Sequence, residues 1–503
     1  MHAMQASRTM PRTMLRRIPR LLGGFAAATV LATTLTASFD SSALARDDQS
    51  DMLNKLNAPW ALVSEPSKSA TKLFTAYLDM TKPPVEFGPE FNQNAIWPGM
   101  DGFEAVAKWA EANSGLGKAL LEVQNCQVLG VPYGTDGVDK KFVERGLVAD
   151  VTLDDGVVKA EFPYLKALEA ISTYVAADIY RLCAAEKYDD AFALAIAHAK
   201  LLRQAAEATM YEEKVASMLM LCDALSLHRD VMWTYREKIP AALFQKIALR
   251  EYPFIKPQDN ERLKRLAMPE GDLIIGEAIL ESVFDSSGQP DNDKFAKVFA
   301  SLQSESEPLT SFGASKRWVK IAGVHGSLEA STKKLNDIYD DWWRRWRMRP
   351  FDPMMSLSTE YSRTNPVKYA AVLLVASDID ALFELRRRLG TELCGTVISA
   401  GLCGYRAQYG TWPDKIEKAY AQFMPKRFNF DAYDKEYGSF VYDYLGSSKR
   451  GIETEDGRVE ATGCLLYARN GDGESNKAAR HAPGGKSDDF VVWPALRAIA
   501  RGE

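Results

Sequence analysis

The feature that most constrains the fold is a run of apolar residues at helical spacing between residues 163 and 234. Tyr164, Leu168, Ile171, Val175, Ile179 and Leu182 recur every three or four positions. That period places them on one face of a helix and excludes a strand, whose apolar positions alternate by two. The next stretch, EKYDDAFALAIAHAKLLRQA, repeats the pattern with Ala191, Leu194, Ala195, His198, Leu201 and Leu202, and Asp189 is placed to cap it. A third helix over 210–230 carries Val215, Met218, Leu221, Cys222 and Leu225. Alanine-rich seams let antiparallel helices approach closely, so the body reads as a helical-hairpin or repeat-like arrangement, although no fixed repeat period is present.

The flanking segments extend this reading. Residues 46–68 read as a loose lead-in, 69–80 and 102–125 as helical, and 145–162 as a small hairpin turning at Asp154-Asp155-Gly156. SSGQPDN (286–292) and SESEPLTSFG (304–313) read as loops, and helices resume at 327–347 and from 365, separated by RPFDP. The expected fold is mainly α with a small α+β C-terminal domain. Its parts are a segment over 1–45, a helical domain over 46–365 and a long helix on a short antiparallel sheet over 366–503.

The first 45 residues predict export. Arg12, Arg16, Arg17 and Arg20 precede the apolar stretch 21–39, and Ala43-Leu44-Ala45 has the small-x-small pattern of a cleavage site. The same stretch is just long enough to serve as an uncleaved membrane anchor. The expected location is the periplasm or cell envelope, with membrane contact only through this segment if it is retained. The whole chain carries −5, and residues 1–45, with five Arg and one Asp, account for +4 of it, leaving −9 on the remainder. An acidic body argues against nucleic acid as a partner.

The six cysteines, Cys126, Cys183, Cys222, Cys394, Cys403 and Cys464, include no C-x-x-C pair, which removes zinc-ribbon and thioredoxin-type chemistry. They read either as buried apolar side chains or as oxidised pairs, with Cys183 and Cys222 the first pair to test. No G-x-S-x-G, H-E-x-x-H or G-x-G-x-x-G motif occurs. His198 and His228 fall in helical stripes and read as core residues, and His325 lies in a Gly-flanked loop. DDWWRRWRMR (340–349) offers Trp342, Trp343, Trp346 and Arg345 as a surface that binds by stacking and cation–π contact. The competing reading is a packed helix, with Leu328, Leu335, Ile338, Trp342 and Trp346 on one stripe and Asp340 and Asp341 each paired to an Arg four residues on.

NGDGESNKAARHAPGGKSDDFVVW (470–493) is the remaining candidate. Gly485-Lys486-Ser487 lacks the earlier glycine of a phosphate loop, where Arg480 stands. Asn470, Asp472 and Glu474 lack the Gly and Glu that an EF-hand requires at its sixth and twelfth positions, where Ser475 and His481 stand.

Four elements in order give the C-terminal part a resemblance to the globular head of type II secretion major pseudopilins. They are the helix ELRRRLGTELCGTVISAGLCGYRAQYG running into Thr411-Trp412-Pro413, the strand entry FDAYDKEYGSFVYDYL, the strand CLLYARNGDGE and the closing SDDFVVW. The resemblance implies a long helix packed on a short antiparallel sheet and a calcium ion held by Asp472, Asp488 and Asp489 with loop carbonyls. The alternative is a salt-bridged turn, because Arg469, Lys477, Arg480 and Lys486 bring positive charge. The prepilin Glu after Gly24-Phe25 is absent, so a pilus subunit is not expected. The functional expectation is a non-catalytic envelope protein that contacts another envelope protein or a surface polymer. The alternative is an exported hydrolase whose active site lies in the helical domain.

Overall fold

A computed structural model describes residues 42–154, 157–251, 266–306, 313–348, 352–436, 438–454, 457–479 and 488–503. The basic and apolar stretches before residue 42, the turn at 155–156, most of the 304–313 loop and the loop residues Arg480 to Ser487 lie outside the described residues.

Three helices form the centre: α5 (Tyr164–Ala184), α6 (Tyr188–Ala205) and α7 (Tyr211–Thr234). They are preceded by α1 (Ser42–Ala61), α2 (Ala70–Leu78), α3 (Phe103–Ala112), α4 (Ser114–Val123) and the hairpin β1 (Asp150–Asp154) with β2 (Val157–Glu161). They are followed by α8 (Gly271–Val283), α9 (Asn292–Ser306), α10 (Ala314–Ala322), α11 (Leu328–Arg347), α12 (Ala370–Val375) and the long α13 (Asp380–Tyr409). The chain ends with β3 (Val441–Thr454), β4 (Gly457–Ala468), β5 (Phe490–Trp493) and α14 (Leu496–Ala500). The protein is therefore mainly helical, with a small antiparallel sheet near the C-terminus.

The expected stripe of α5 is buried: Tyr164, Leu168, Ile171, Val175 and Ile179 are all at most 1 % exposed. Each buried side chain of this size contributes roughly 1.5–3 kcal/mol of transfer free energy, which is why these helices form the core. The expected loose lead-in at 46–68 is instead largely α1. Its Met52, Leu56 and Trp60, spaced by four, are buried in the main core. Helix α6 is capped at Lys187 rather than Asp189, which lies in its first turn beside Asp190. There the two carboxylates complement the positive helix end. One apolar cluster runs from Met52 to Ala498 and includes side chains from the helical body, α13, β4 and α14.

The sheet order is β3-β4-β5, antiparallel throughout. Gly463, at φ 80°, pairs with Gly446 at an irregularity in the β3–β4 register. The Trp412 indole occupies the space where a side chain at 463 would project. Gly395 on α13 likewise leaves room for Val492 of β5, and Gly401 for Met424. Helix α13 ends at Gly410, whose φ of 77° is a conformation that glycine adopts without steric cost.

Candidate functional site

The residues proposed for surface stacking are mostly interior. Trp342 and Trp346 are 1 % and 3 % exposed and Arg345 is 4 % exposed. The Trp346 indole donates to the Leu266 carbonyl at 2.6 Å. Arg345 Nε donates to Asp341 at 3.0 Å, and its Nη atoms reach the Met354 and Ser358 carbonyls. Arg344 bonds the Asp340 backbone carbonyl, not its carboxylate. Only Trp343 is half-buried, with Arg347 stacked 3.0 Å from its ring centre. The surface reading is corrected because the stripe containing Trp342 and Trp346 faces the core, and the cationic groups are spent on intrachain partners.

Cys183 and Cys222 are both buried free thiols. Cys183 lies within electrostatic reach of Tyr235, just past the end of α7, whereas Cys222 lies thirteen residues back along that helix. At 1.5 Å per residue that is about 20 Å, too far for a disulfide. Burial pushes the Cys183 thiol up to about 12, which removes thiolate reactivity.

The histidines are structural. His198 is fully buried and its Nε2 lies 2.9 Å from Ser172 Oγ. His228 faces it from α7, and burial lowers both imidazoles to about 3, so they are neutral. His325 accepts from the Ala371 amide at Nε2 (3.3 Å) and bonds the Gly326 carbonyl through Nδ1 (3.0 Å). Those contacts assign the proton to Nδ1. Phe284, Phe295 and Tyr369 surround the ring.

In the C-terminal loop, Asp489 is 3 % exposed and its Oδ2 accepts from the Asn476 and Ala478 amides at 2.9 and 2.8 Å. Its Oδ1 is buried without a hydrogen-bond partner among the described residues. Burial raises its pKa, and the charge of Asp472 adds to the rise. Asp472 Oδ1 accepts from the Glu474 amide at 2.9 Å, and Asp488 is only partly buried at the start of the closing segment. Among the described residues, no three His, Cys, Asp or Glu side chains stand close enough to hold a metal ion. The set Asp472, Asp488 and Asp489 is therefore not assembled there as a calcium shell.

Arg469, whose charge also acts on Asp489, makes ion pairs with the strand-entry loop. Its Nη1 lies 2.8 Å from Asp434 and 3.2 Å from Asp431, both in the strand-entry loop, and its amide donates to Asp431 at 2.9 Å. Asp431 is fully buried, and desolvation raises it to about 6 despite the guanidinium. Arg469 thus ties the end of β4 to the strand-entry loop.

Two buried polar centres had no sequence signal beyond a charge inside an apolar stripe. At the start of α7, Glu213 is 2 % exposed and receives the Tyr164 and Tyr133 hydroxyls at 2.6 and 2.7 Å. Tyr133 Oη also accepts from the Thr209 amide and hydroxyl, so its own proton is committed to Glu213. Burial lifts Glu213 to about 7, with the Asp272 charge adding to it. The adjoining void, bounded also by Trp60 and Gln204, leaves about 10 Å³ for water centres, room for one water rather than a substrate.

The second centre joins α7 to the C-terminal elements. Arg229 Nη2 lies 2.5 Å from Glu392 Oε2, and Arg229 Nη1 donates to Thr396 at 2.7 Å. At the next residue, Asp230 Oδ2 lies 2.5 Å from Arg497 of α14. Arg497 also donates to Asn94 Oδ1 at 2.6 Å, and the Trp233 indole donates to the Glu503 carbonyl at 3.0 Å.

A larger cleft of about 150 Å³ lies between α1, β1 and α8, lined by Asp51, Lys55, Glu277, Glu281 and Ser282. Lys55 pairs with Asp51 at 2.7 Å, and the Ser282 hydroxyl donates to the Ile279 carbonyl. No histidine lines it. Among known protein families, curated proteins and solved structures, nothing matches this chain.

Proposed function

We propose that the protein is a non-catalytic, exported envelope protein whose helical body contacts another envelope component and whose pseudopilin-like C-terminal part serves as a fixed structural cap. The observation that carries this reading is the seam of buried ion pairs, Arg229 with Glu392 and Asp230 with Arg497, that ties α13 and α14 to α7. Truncating one member of a buried pair is strongly destabilising, so such a seam favours a rigid junction over a moving one. The likeness to a pseudopilin head is supported by a long helix ending at Gly410, three antiparallel strands after it, and Gly395 set against Val492.

The commitment of the histidines also supports the reading. All three named imidazoles are buried, with two of them driven neutral and the third bonded through both nitrogens. None is left to act as a general base beside a nucleophile. The experiment is a substrate panel combined with cell fractionation. The expected result is a periplasmic or envelope protein without activity on ester, peptide or glycoside substrates. Turnover of any of these, or retention in the cytoplasm, overturns it.

A further inference from the structure

Helix α10 has two unlike faces. Ala314, Trp318 and Ala322 are buried, and the Trp318 ring packs 5.9 and 5.1 Å from Phe295 and Phe299 of α9. The opposite stripe, at spacings of three and four, is Lys316, Val319, Lys320 and Gly323, all exposed. Val319 is 47 % exposed, and Val324, just past the helix, is 59 % exposed. The Gly326 amide donates to the Lys368 carbonyl at 2.9 Å, which brings in the loop carrying exposed Lys368 and Val367, itself 54 % exposed. Lys316, Lys320 and Lys368 make no ion pair with any described residue, in a chain of net charge −5.

We propose that this Lys–Val surface is a peripheral docking site for an anionic phospholipid bilayer, separate from the apolar stretch at 21–39. A basic stripe interleaved with protruding aliphatic groups matches the interfacial region of a bilayer. Ammonium groups sit at the phosphates there, and short apolar side chains enter the acyl boundary. The valines also discriminate among partners. A glycan is gripped by aromatic faces, which the exposed helix stripe lacks, and a soluble polyanion gains nothing from exposed valine.

The test is co-sedimentation of the full chain with phosphatidylglycerol vesicles and, separately, phosphatidylcholine vesicles. The five Arg of residues 1–45 add to phosphatidylglycerol binding in parent and variants alike, so the readout is the difference between parent and variant on each lipid. Binding to phosphatidylglycerol is expected to be tighter and to weaken with salt. A lysine at an anionic surface contributes roughly fivefold in affinity, so Lys316→Glu with Lys320→Glu costs at least about tenfold on phosphatidylglycerol and nothing on phosphatidylcholine. Val319→Asp with Val324→Asp also lowers phosphatidylglycerol binding. All four positions are exposed, so an unchanged melting temperature certifies the fold. Equal binding to the two lipids, no binding to either, or charge-reversed protein that binds like the parent overturns the proposal. So does phosphatidylglycerol binding that survives both valine substitutions, which shows attachment by charge alone.

Discussion

Arg229 and Glu392 meet 2.5 Å apart in the interior although 163 residues separate them in sequence. Their side chains are 6 % and 3 % exposed, so neither charge has water as an alternative partner. Glu392→Ala leaves the guanidinium buried and unpaired, with an expected loss of about 3–5 kcal/mol. Replacing both partners together, Arg229→Met with Glu392→Leu, is expected to cost far less than the single change. Urea unfolding of the two variants checks this, and equal losses would mean that the pair is not what holds the helices.

Glu213 gives an unusual dependence on pH. Its folded pKa of about 7 lies above the ordinary 4.5, so its contribution to stability is complete below pH 4.5 and is lost as the pH rises through 7. The full difference corresponds to about 3 kcal/mol. Glu213→Gln keeps the shape and removes the titration. Its unfolding free energy is expected to vary less than the parent's between pH 5 and 8, by about that amount, in chemical denaturation measured across the range.

His198 and His228 act in the opposite direction. Their folded pKa values of about 3 lie below the ordinary 6.5, so their stabilising contribution is present above pH 6.5 and declines as the pH falls. Proton NMR of the imidazole resonances is expected to show neither ring titrating between pH 5 and 8.

The tryptophans of α11 separate core from surface. Trp346→Ala removes a buried ring and its bond to Leu266, at an expected cost of about 3–5 kcal/mol. Trp343→Ala, at a half-buried ring held by Arg347, is expected to cost clearly less. Thermal and urea unfolding of the two proteins give the comparison.

The close approach of Gly395 to Val492 predicts a suppressor. A methyl group at 395 collides with the valine, so Gly395→Ala is expected to destabilise by about 1–3 kcal/mol. Val492→Ala in the same chain is expected to restore part of that loss. Absence of any recovery would mean that the strain lies elsewhere.

Much of this architecture is legible where apolar spacing is strong. The stripe ending at Trp346 places α11 over Leu328–Arg347, and the alternation around Asp154 gives β1 and β2. Helix α1 is misread because its apolar face is narrow. Met52, Leu56 and Trp60 are the only core positions described in it, set among polar residues and followed by exposed Leu62. The distal β3–β4 hairpin receives no reading from the sequence, because Gly446, Ser447, Ser448 and Gly451 carry no apolar alternation. The same α11 stripe that fixes the helix also decides against its tryptophans as a surface, which shows that one pattern carries both facts. The Arg229–Glu392 contact and the Glu213 cluster could not be read, because partners brought together by folding leave no spacing in the chain. At Arg469 the charge was legible but its target was not, since Asp431 and Asp434 belong to the preceding loop.

The Asn94–Arg497 hydrogen bond spans 403 positions. Some four hundred residues must therefore leave the ribosome after Asn94 before it can meet its partner, and until then the segment around Asn94 lacks this clamp.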